Sequence, residues 1–344
     1  MSAEEAGQAP SGTPSTCIDV HGHGVPLAFV EEVRRTGLGR VTVASEGGKH
    51  RLRFPGEQPL RPVAGIMTEF SQRSGWLDKQ HVDVQVVAPW LDVHGQQLPA
   101  PVGEEWVALL NDAMANAVAD GGGRLRAHAT VHLRDPEAAA RELERAHSEL
   151  GMRSCMIPVS IGGDYIDGKT LEPLWEAAAA LGMPVVLHPP TEAPSSALFG
   201  RFPRLAPLGR VIDTTIAAAG LITSGVLDKF PQLQLVLVHG GGFLPYQIGR
   251  LDQSFENDDG PLPSDYVRRM NYDSTLLTPA GVRMLADYAG AERLMVGSDY
   301  AATSAVGGWD QRQLTANVTS SGIGEPELSL VLRGNAERLF AISA

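Results

Sequence analysis

The chain has 344 residues, a formal net charge of −12 and only two cysteines, which is enough length for one large domain or two ordinary ones. The acidic balance argues against a general nucleic-acid-binding protein, which would show a basic face. No run of about 18 apolar residues occurs, so no membrane span is expected. Cys17 and Cys155 lie in apolar runs; they are too few for a disulfide framework, and we predict that both are small core residues.

Residues 1–16 are rich in Ala, Ser, Gly, Pro and Glu. They lack the basic start and apolar centre of a signal peptide. We therefore expect a disordered N-terminal tail over 1–16 and a cytoplasmic protein without a membrane or nucleic-acid partner.

From residue 17 onwards, short apolar runs alternate with helical patterns. The predicted strands are Ile18–His21, Val82–Ala88, Arg126–Val131, Ser154–Val159, Pro184–His188, Leu233–His239, Asn271–Thr275 and Arg293–Ser298. The predicted helices are Glu104–Ala119, Pro136–Leu150, Leu171–Leu181, Thr214–Phe230, Phe243–Phe255 and Pro279–Ala289, with short pieces at Pro326–Leu332 and Asn335–Phe340. This alternation predicts parallel strands joined by helices, and eight units favour an α/β fold of the (β/α)8 TIM-barrel type over residues 17–344. An open doubly wound sheet is the alternative, although no glycine-rich phosphate turn follows the first strand.

Residues 27–80 interrupt the alternation. Val41–Ser45 and His50–Phe54 flank the turn signal Glu46-Gly47-Gly48-Lys49, which predicts a hairpin. We interpret 27–80 as an insertion after the first strand that forms a flap near the barrel mouth.

Polar side chains stand at the ends of four predicted strands. His21 and His23 are one residue apart, so the two-residue period of a strand turns both to the same face. His188, His239 and Asp299 end the fifth, sixth and eighth strands, and in such barrels catalytic groups lie at the carboxyl ends of the strands. Imidazoles and a carboxylate, here His21, His23, His188 and Asp299, suit zinc, with iron or manganese also possible.

His239 is the better candidate for acid–base chemistry, because unperturbed histidine titrates near pH ~6.5. A fifth metal ligand or a structural histidine is the other interpretation of this residue.

These segments resemble the metal-dependent amidohydrolase superfamily, most of all the branch of aminocarboxymuconate semialdehyde decarboxylase. The segments that carry the resemblance are Asp19-Val20-His21-Gly22-His23, Val82-Asp83-Val84-Gln85-Val86, Leu187-His188-Pro189, His239-Gly240-Gly241-Gly242-Phe243, Gly297-Ser298-Asp299-Tyr300 and the C-terminal 334–340. The resemblance implies a distorted (β/α)8 barrel with one divalent metal, usually zinc, held by His21, His23, His188 and Asp299. It also implies that His239 helps to activate a metal-bound water, so that His239 and Asp299 are the catalytic pair. No lysine ends the fourth strand, where many two-metal amidohydrolases carry one, and one metal is therefore expected.

Two arginines match substrate-carboxylate positions of the family. Arg61 lies in the insertion and Arg250 follows His239 by one helix. A guanidinium holds a carboxylate with two hydrogen bonds. The family supplies the second arginine from a neighbouring subunit, which implies a homodimer, whereas a solvated surface charge is the other interpretation of each arginine.

Three positions depart from the family pattern. Pro190 replaces a tryptophan after the fifth strand, Ala301-Ala302 replaces Pro-Phe after the eighth, and Gly24 stands where an aromatic residue is common. We expect these changes to remove bulk around the metal and the substrate to differ from the namesake compound of the family.

The sequence therefore predicts a metal-dependent carboxy-lyase (decarboxylase) that acts on a small unsaturated or aromatic carboxylic acid. A metal-dependent hydrolase or hydratase of a carboxylate-bearing amide, lactone or ester is the alternative, since it needs the same metal-bound water and histidine. A non-enzymatic metal-binding barrel is a third interpretation.

Overall fold

The structure, a computed structural model, describes residues 17–199, 201–256, 258–301 and 312–343. The predicted tail 1–16 and Ala302 lie outside the described residues. Cys17 and Cys155 are buried free thiols in the core, as predicted, and burial raises the pKa of Cys17 to about 12.

Eight parallel strands within the described ranges form the centre of the fold. They are β1 (Cys17–Gly24), β2 (Val82–Pro89), β3 (Leu125–Ala127), β4 (Cys155–Pro158), β5 (Val185–His188), β6 (Leu235–Leu237), β7 (Asn271–Asp273) and β8 (Leu294–Met295). Their hydrogen-bonded order is β1-β2-β3 in one sheet and β8-β7-β6-β5-β4 in the other. All eight sequence predictions are confirmed in position and order.

Isolated parallel bridges join the two sheets into a ring. They pair Asp19 with Val296, Gly22 with Tyr300 and Ala129 with Cys155. β1 thus pairs with the segment that follows β8, and the segment that follows β3 pairs with β4. The predicted (β/α)8 barrel is confirmed.

β1 contains a bulge that the sequence pattern does not reveal. Its pairing with β2 shifts between Asp19 and Gly22, so one extra residue changes the alternation of faces. Ile18 and Val20 belong to the apolar cluster inside the barrel. The histidines beyond the bulge, His21 and His23, nevertheless turn to the mouth.

Helices surround the ring. They are α1 (Leu27–Thr36), α2 (Gly65–Thr68), α3 (Arg73–Gln80), α4 (Ala100–Ala119), α5 (Pro136–Ser148), α6 (Glu172–Leu181), α7 (Ser196–Phe199), α8 (Ala206–Thr223), α9 (Val226–Lys229), α10 (Leu244–Asp252), α11 (Pro263–Val267), α12 (Pro279–Ala289), α13 (Arg312–Thr319), α14 (Glu327–Ser329) and α15 (Asn335–Leu339). The prediction of one helix over Thr214–Phe230 is wrong. α8 begins eight residues earlier, because Pro207 fits the first turn of a helix. Gly225, with a φ of 79°, separates α8 from α9.

The segment Pro203–Thr223, which contains α8, is the one described segment that is long and apolar enough to cross a membrane by length and composition alone. Its mean hydropathy is 1.4, and 44% of the window tested is buried. The buried side includes Ala217, Ala218 and Leu221, which pack in the main core. A barrel helix that faces the core on one side meets the same criterion, so this one helix is weak evidence for a membrane.

The predicted hairpin in 27–80 is present as strands Thr42–Glu46 and Lys49–Arg53. Gly47 and Gly48 have φ values of 55° and 73°, as a tight turn with positive φ at both central residues requires. After the hairpin the chain forms α2 and α3, and α3 leads directly into β2.

Candidate metal centre

Four side chains from distant parts of the chain meet at the carboxyl ends of β1, β5 and β8. His21 Nε2 lies 3.2 Å from His23 Nε2. Asp299 Oδ1 lies 3.1 Å from His23 Nε2 and 3.5 Å from His21 Nε2. The ring centre of His188 is 5.0 Å from that of His21 and 4.9 Å from that of His23. The structure therefore brings together all four residues predicted to hold a metal.

The separations of these atoms match those between ligands of one ion. Two ligand atoms that are each ~2.1 Å from a common cation, at tetrahedral to right angles, lie ~3.0–3.4 Å apart. His21, His188, His239 and Asp299 also offer ligand atoms that all lie within 4.8 Å of one another. His239 is thus close enough to be a ligand or a catalytic neighbour, and both interpretations stay open.

Hydrogen bonds fix which ring nitrogens face the centre of the cluster. Nδ1 of His21 lies 2.6 Å from Oδ2 of Asp273, and Nδ1 of His188 lies 2.8 Å from the carbonyl oxygen of Pro189. An ionised carboxylate and a carbonyl only accept, so both Nδ1 atoms carry a hydrogen, and in the neutral form of each ring Nε2 presents the lone pair. Nε2 of His188 is buried and has no hydrogen-bond partner among the described residues. A buried lone pair of this kind fits a metal ligand, so the residues present suit a cation.

The electrostatics of the cluster favour the protonation states of a metal site. Burial would raise the pKa of Asp299, but the close imidazole of His23 and the positive charge that His21, His23 and His239 can carry outweigh it and hold that pKa well below its ordinary value. Burial, together with the neighbouring histidines, lowers the pKa of His188 well below 6.5. The carboxylate is therefore ionised and His188 neutral at pH 7, as ligation requires.

Asp273 is a site residue that our sequence analysis missed. Besides His21, its carboxylate accepts from the backbone N–H of Gly240 at 3.1 Å and from the hydroxyl of Thr275 at 2.9 Å. Burial would lower the pKa of His21, but the hydrogen bond that His21 donates to Asp273 and the nearby carboxylates raise it. Carboxylates that orient a ligating histidine in this way are usual at metal sites. Asp273 ends β7, so the rule that selected the other strand ends would also have found it.

His239 lies in a tight turn beyond β6, whereas the sequence placed it at the end of a longer strand. It starts the 3-10 turn His239–Gly241 with a φ of 55°. Its Nε2 is 3.9 Å from Asp299 Oδ2, and its ring centre is 5.3 Å from that of His188. The turn needs positive φ at Gly240 and Gly241, 60° and 75°, which glycine adopts without strain.

Arg61 lies at the barrel mouth. Its Nη2 donates to Thr191 Oγ1 at 2.6 Å and lies 3.5 Å from Asp92 Oδ2. Its guanidinium stands 4.8 Å from the ring centre of Trp90. Thr191 follows β5 and Trp90 follows β2, so Arg61 connects two loops that border the site.

Arg250 is not brought to the cluster within this chain. It is exposed on α10 and makes no hydrogen bond or ion pair with the residues that the structure describes. The position is compatible with a surface charge or with contact to another molecule.

Gly24 does not leave empty space, contrary to the expectation that it removes bulk near the metal. A Cβ atom at Gly24 would lie 2.5 Å from Cζ of Phe70 and 3.1 Å from Nη2 of Arg73. The space beside the strand is filled from the insertion instead.

Comparison with known proteins gives several decarboxylases and a 2-keto-4-carboxy-3-hexenedioate hydratase of Sphingobium sp., which is 25% identical over 219 residues, 60% of this chain and 62% of that protein. The 2-amino-3-carboxymuconate-6-semialdehyde decarboxylase of Dictyostelium discoideum is 25% identical over 231 residues, 65% of this chain and 64% of that protein, which is just under two thirds of its length. The gamma-resorcylate decarboxylase of Polaromonas sp. is 33% identical over 227 residues, 58% of this chain and 68% of that protein. A crystal structure of dihydroxybenzoic acid decarboxylase from Polaromonas sp., with bound manganese and the inhibitor 2-nitroresorcinol, has a TM-score of 0.74 at 21% identity, over 95% of this chain and 97% of that one. The sequence model of the amidohydrolase family matches residues 18–342, and the chain therefore belongs to the amidohydrolase family.

Proposed function

We propose that this protein is a metal-dependent carboxy-lyase that removes CO2 from a small aromatic or unsaturated carboxylic acid. The observation that carries the proposal is the cluster of three imidazoles and one carboxylate, in which Nε2 of His21 and of His23 lie close to Asp299 and Nε2 of His188 is buried without a partner among the described residues. The decarboxylases among the relatives support this reaction, whereas the hydratase of Sphingobium sp. supports the alternative of hydration.

His21, His23, His188 and Asp299 would hold one divalent cation. When bound, such a cation supplies a Lewis acid and lowers the pKa of a coordinated water from 15.7 towards ~7. β4 offers no lysine to bridge a second ion. Zinc is the metal that the ligand types predict, while the manganese in the Polaromonas structure supports Mn2+. Elemental analysis of protein purified without added metal decides between them.

We assign His239 and Asp299 to proton transfer. In a decarboxylation the carbon–carbon bond to the carboxylate breaks, CO2 leaves, and the electron pair left on carbon takes up a proton. The 3.9 Å separation of His239 Nε2 and Asp299 Oδ2 allows the imidazole to receive, hold and return a proton at the edge of the cluster.

Arg61 would hold an anionic group of the substrate. Its guanidinium already lies over Trp90, whose ring offers a flat apolar surface to an aromatic acid. Oδ2 of Asp92 lies 3.5 Å from Nη2 of Arg61, and a substrate carboxylate would compete with Asp92 for this guanidinium. The flap role of residues 27–80 follows from this position of Arg61 in the insertion.

A homodimer is part of the proposal. Apolar side chains are exposed along α7, the following turn and α8: Leu198 is 68%, Phe202 55% and Leu208 55% exposed. A second copy of the chain would cover this surface, and Arg250 would then reach the site of the partner. We keep a cytoplasmic location, with no nucleic-acid or membrane partner, as a prediction. Light scattering of the purified protein tests the dimer, and a Leu208→Lys variant should shift it towards monomer.

The reaction is tested with protein loaded with Mn2+ or Zn2+ and a panel of dihydroxybenzoates, 5-carboxyvanillate and carboxymuconate-type acids. We expect release of CO2 from at least one of them, lost in the His239→Ala variant. Incorporation of oxygen from labelled water without loss of CO2 would instead show a hydrolase or hydratase. A protein that binds metal but transforms none of these classes would contradict the proposal.

A further inference from the structure

Arg73 is a fully buried arginine in the insertion, only 1% exposed. It lies on α3, and burial lowers its pKa to about 10, so it stays charged at neutral pH. No carboxylate forms an ion pair with it among the described residues. Its guanidinium instead lies between the rings of Phe70 and Tyr300, at 5.0 and 5.3 Å from their centres.

The two ends of the guanidinium are hydrogen-bonded to two neighbouring strands, β1 with the first two histidines and β2 with Gln85. Nη2 donates to the carbonyl oxygen of His23. Nη1 donates to Oε1 of Gln85 at 2.9 Å. Gln85 passes directly beside Gly22, where any Cβ would lie 2.7 Å from its Cδ. The glycine between the two histidines is therefore needed for this contact.

From Gln85 the hydrogen bonds continue to the barrel seam, where β1 meets the segment after β8. Gln85 Nε2 donates to Asp19 Oδ2 at 2.7 Å. Asp19 Oδ1 accepts from the backbone N–H of His21 at 3.0 Å and from that of Ser298 at 3.0 Å. One buried network thus fixes the backbone at a histidine of the cluster and at the residue before Asp299.

Trp76, one turn after Arg73 on α3, contacts the same seam from the other side. Its ring stacks on Tyr300 with centres 3.9 Å apart and planes at 20°. The carbonyl oxygen of Tyr300 accepts from the backbone N–H of His23. α3 therefore holds the two chain segments that supply His23 and Asp299.

We propose that Arg73 and Trp76 are positioning residues for the metal site, and that α3 sets the affinity and geometry of the bound cation through them. The inference rests on the metal site proposed above. Removing a residue that orients metal ligands typically weakens metal binding by ~10–100-fold. A helix that only fills the core would affect stability but not the affinity of folded protein for metal.

The test uses full-length apoprotein prepared with a chelator, with Mn2+ affinity measured by competition with a chelating dye. Arg73→Met keeps an unbranched apolar side chain and removes the donors, and we expect the Kd for Mn2+ to rise ~10–100-fold. Trp76→Leu should raise it by a smaller factor. The visible spectrum of Co2+-loaded protein should change in both variants, since it reports coordination geometry. Arg145→Met is the control, because Arg145 is bonded to Glu142 and Asp112 at 2.8 Å between α4 and α5; it should keep the wild-type Kd and spectrum.

The outcomes separate this inference from the proposed function. A wild-type protein without affinity for Mn2+, Zn2+ or Co2+ overturns the metal site itself. A wild-type protein that binds metal, together with a folded Arg73→Met variant of unchanged Kd and spectrum, overturns only the positioning role. Circular dichroism checks that each variant is folded. If Arg73→Met does not fold, Trp76→Leu is the deciding variant, because Trp76 is only half-buried and its replacement should be tolerated. An unchanged Kd for Trp76→Leu then overturns the proposal.

Discussion

Oδ2 of Asp273 lies 2.6 Å from Nδ1 of His21, although 252 positions separate the two residues in the chain. Burial opposes ionisation of Asp273, yet the bond to His21 outweighs it and lowers the pKa of the carboxyl. The ionised carboxylate fixes the ring of His21 and directs its other nitrogen towards His23 and Asp299.

We expect Asp273→Asn to weaken Mn2+ binding by ~10–100-fold, because an amide keeps the shape but loses the charge that orients His21. Dye competition measures the Kd. Asp228→Asn is the matched control, since Asp228 accepts a 2.5 Å hydrogen bond from Tyr266 near α9 and α11. Equal Kd values for Asp273→Asn and wild type would show that His21 needs no such partner.

Removal of the metal should lower thermal stability. A cation present at a hundred times its Kd stabilises the folded state by ~2.7 kcal/mol, so the melting temperature of the apoprotein should rise when metal is added back. In His188→Ala this rise should shrink or disappear, measured by calorimetry. His147→Ala, which changes a half-buried histidine beside Arg153 and outside the cluster, should retain this rise. A normal rise in His188→Ala would remove that residue from the ligand set.

Acid should destabilise the apoprotein through two buried histidines outside the cluster. Burial lowers the pKa of His94 to about 4 and that of His128 to about 3. The unfolded chain takes up these protons below pH ~6.5 and the folded chain does not, so stability is full above that pH and falls below it. Between pH 7 and 5 each histidine should cost about 2 kcal/mol of unfolding free energy. Urea unfolding at both pH values measures it, and a His128→Gln variant should show a smaller decrease; an equal decrease would rule out His128 as a source.

Arg61 should affect substrate binding more than turnover. Loss of a charge-assisted hydrogen bond of about 1.5–3 kcal/mol predicts that Arg61→Met raises KM by ~10–100-fold, with a smaller effect on kcat. Steady-state kinetics on the substrate found in the CO2 assay measures both. The control is Arg51→Met on the exposed hairpin strand, because the guanidinium of Arg51 donates to the carbonyl oxygen of Leu60 at 3.4 Å and to no other described residue. Equal KM values for Arg61→Met and Arg51→Met would show that Arg61 does not bind the substrate and is a solvated surface charge.

The proposed role of Arg250 across a dimer can be tested by mixing two inactive variants. In a hybrid of Arg250→Ala and His239→Ala subunits, one site would combine an intact His239 with an intact Arg250 from the partner. After exchange of subunits, about a quarter of all sites should be restored. Activity after unfolding and joint refolding measures this. An inactive mixture, from two variants that are each inactive and dimeric, would place Arg250 in its own site or in none.

The sequence predicts those parts of the fold that depend on local patterns. Most of the strands are short apolar runs, whereas β7 is Asn271-Tyr272-Asp273. His21, His23, His188 and Asp299 were identifiable because they stand where such runs end. The start of α8 was missed because a proline close to a glycine reads as a break, although proline suits a first helical turn.

Other parts of the site depend on contacts that no local pattern contains. Arg73 lies in a segment with ordinary helix composition, and only the fold shows that its guanidinium is buried against the carbonyl of His23. The filling of the space beside Gly24 by Phe70 is likewise a relationship between separate segments. A departure from the family sequence therefore indicates that the lining of the site differs, but it does not show which residue fills the space.

The seam between β1 and the chain after β8 has a consequence for biosynthesis. Asp19 and Ser298 are 279 positions apart, so the whole segment between them must leave the ribosome before the seam can form. Contacts of such sequence separation form late, because the entropy of closing a long loop opposes them. A truncated or stalled nascent chain should thus be unable to retain a cation, and retention of the ion would report that synthesis and folding are complete.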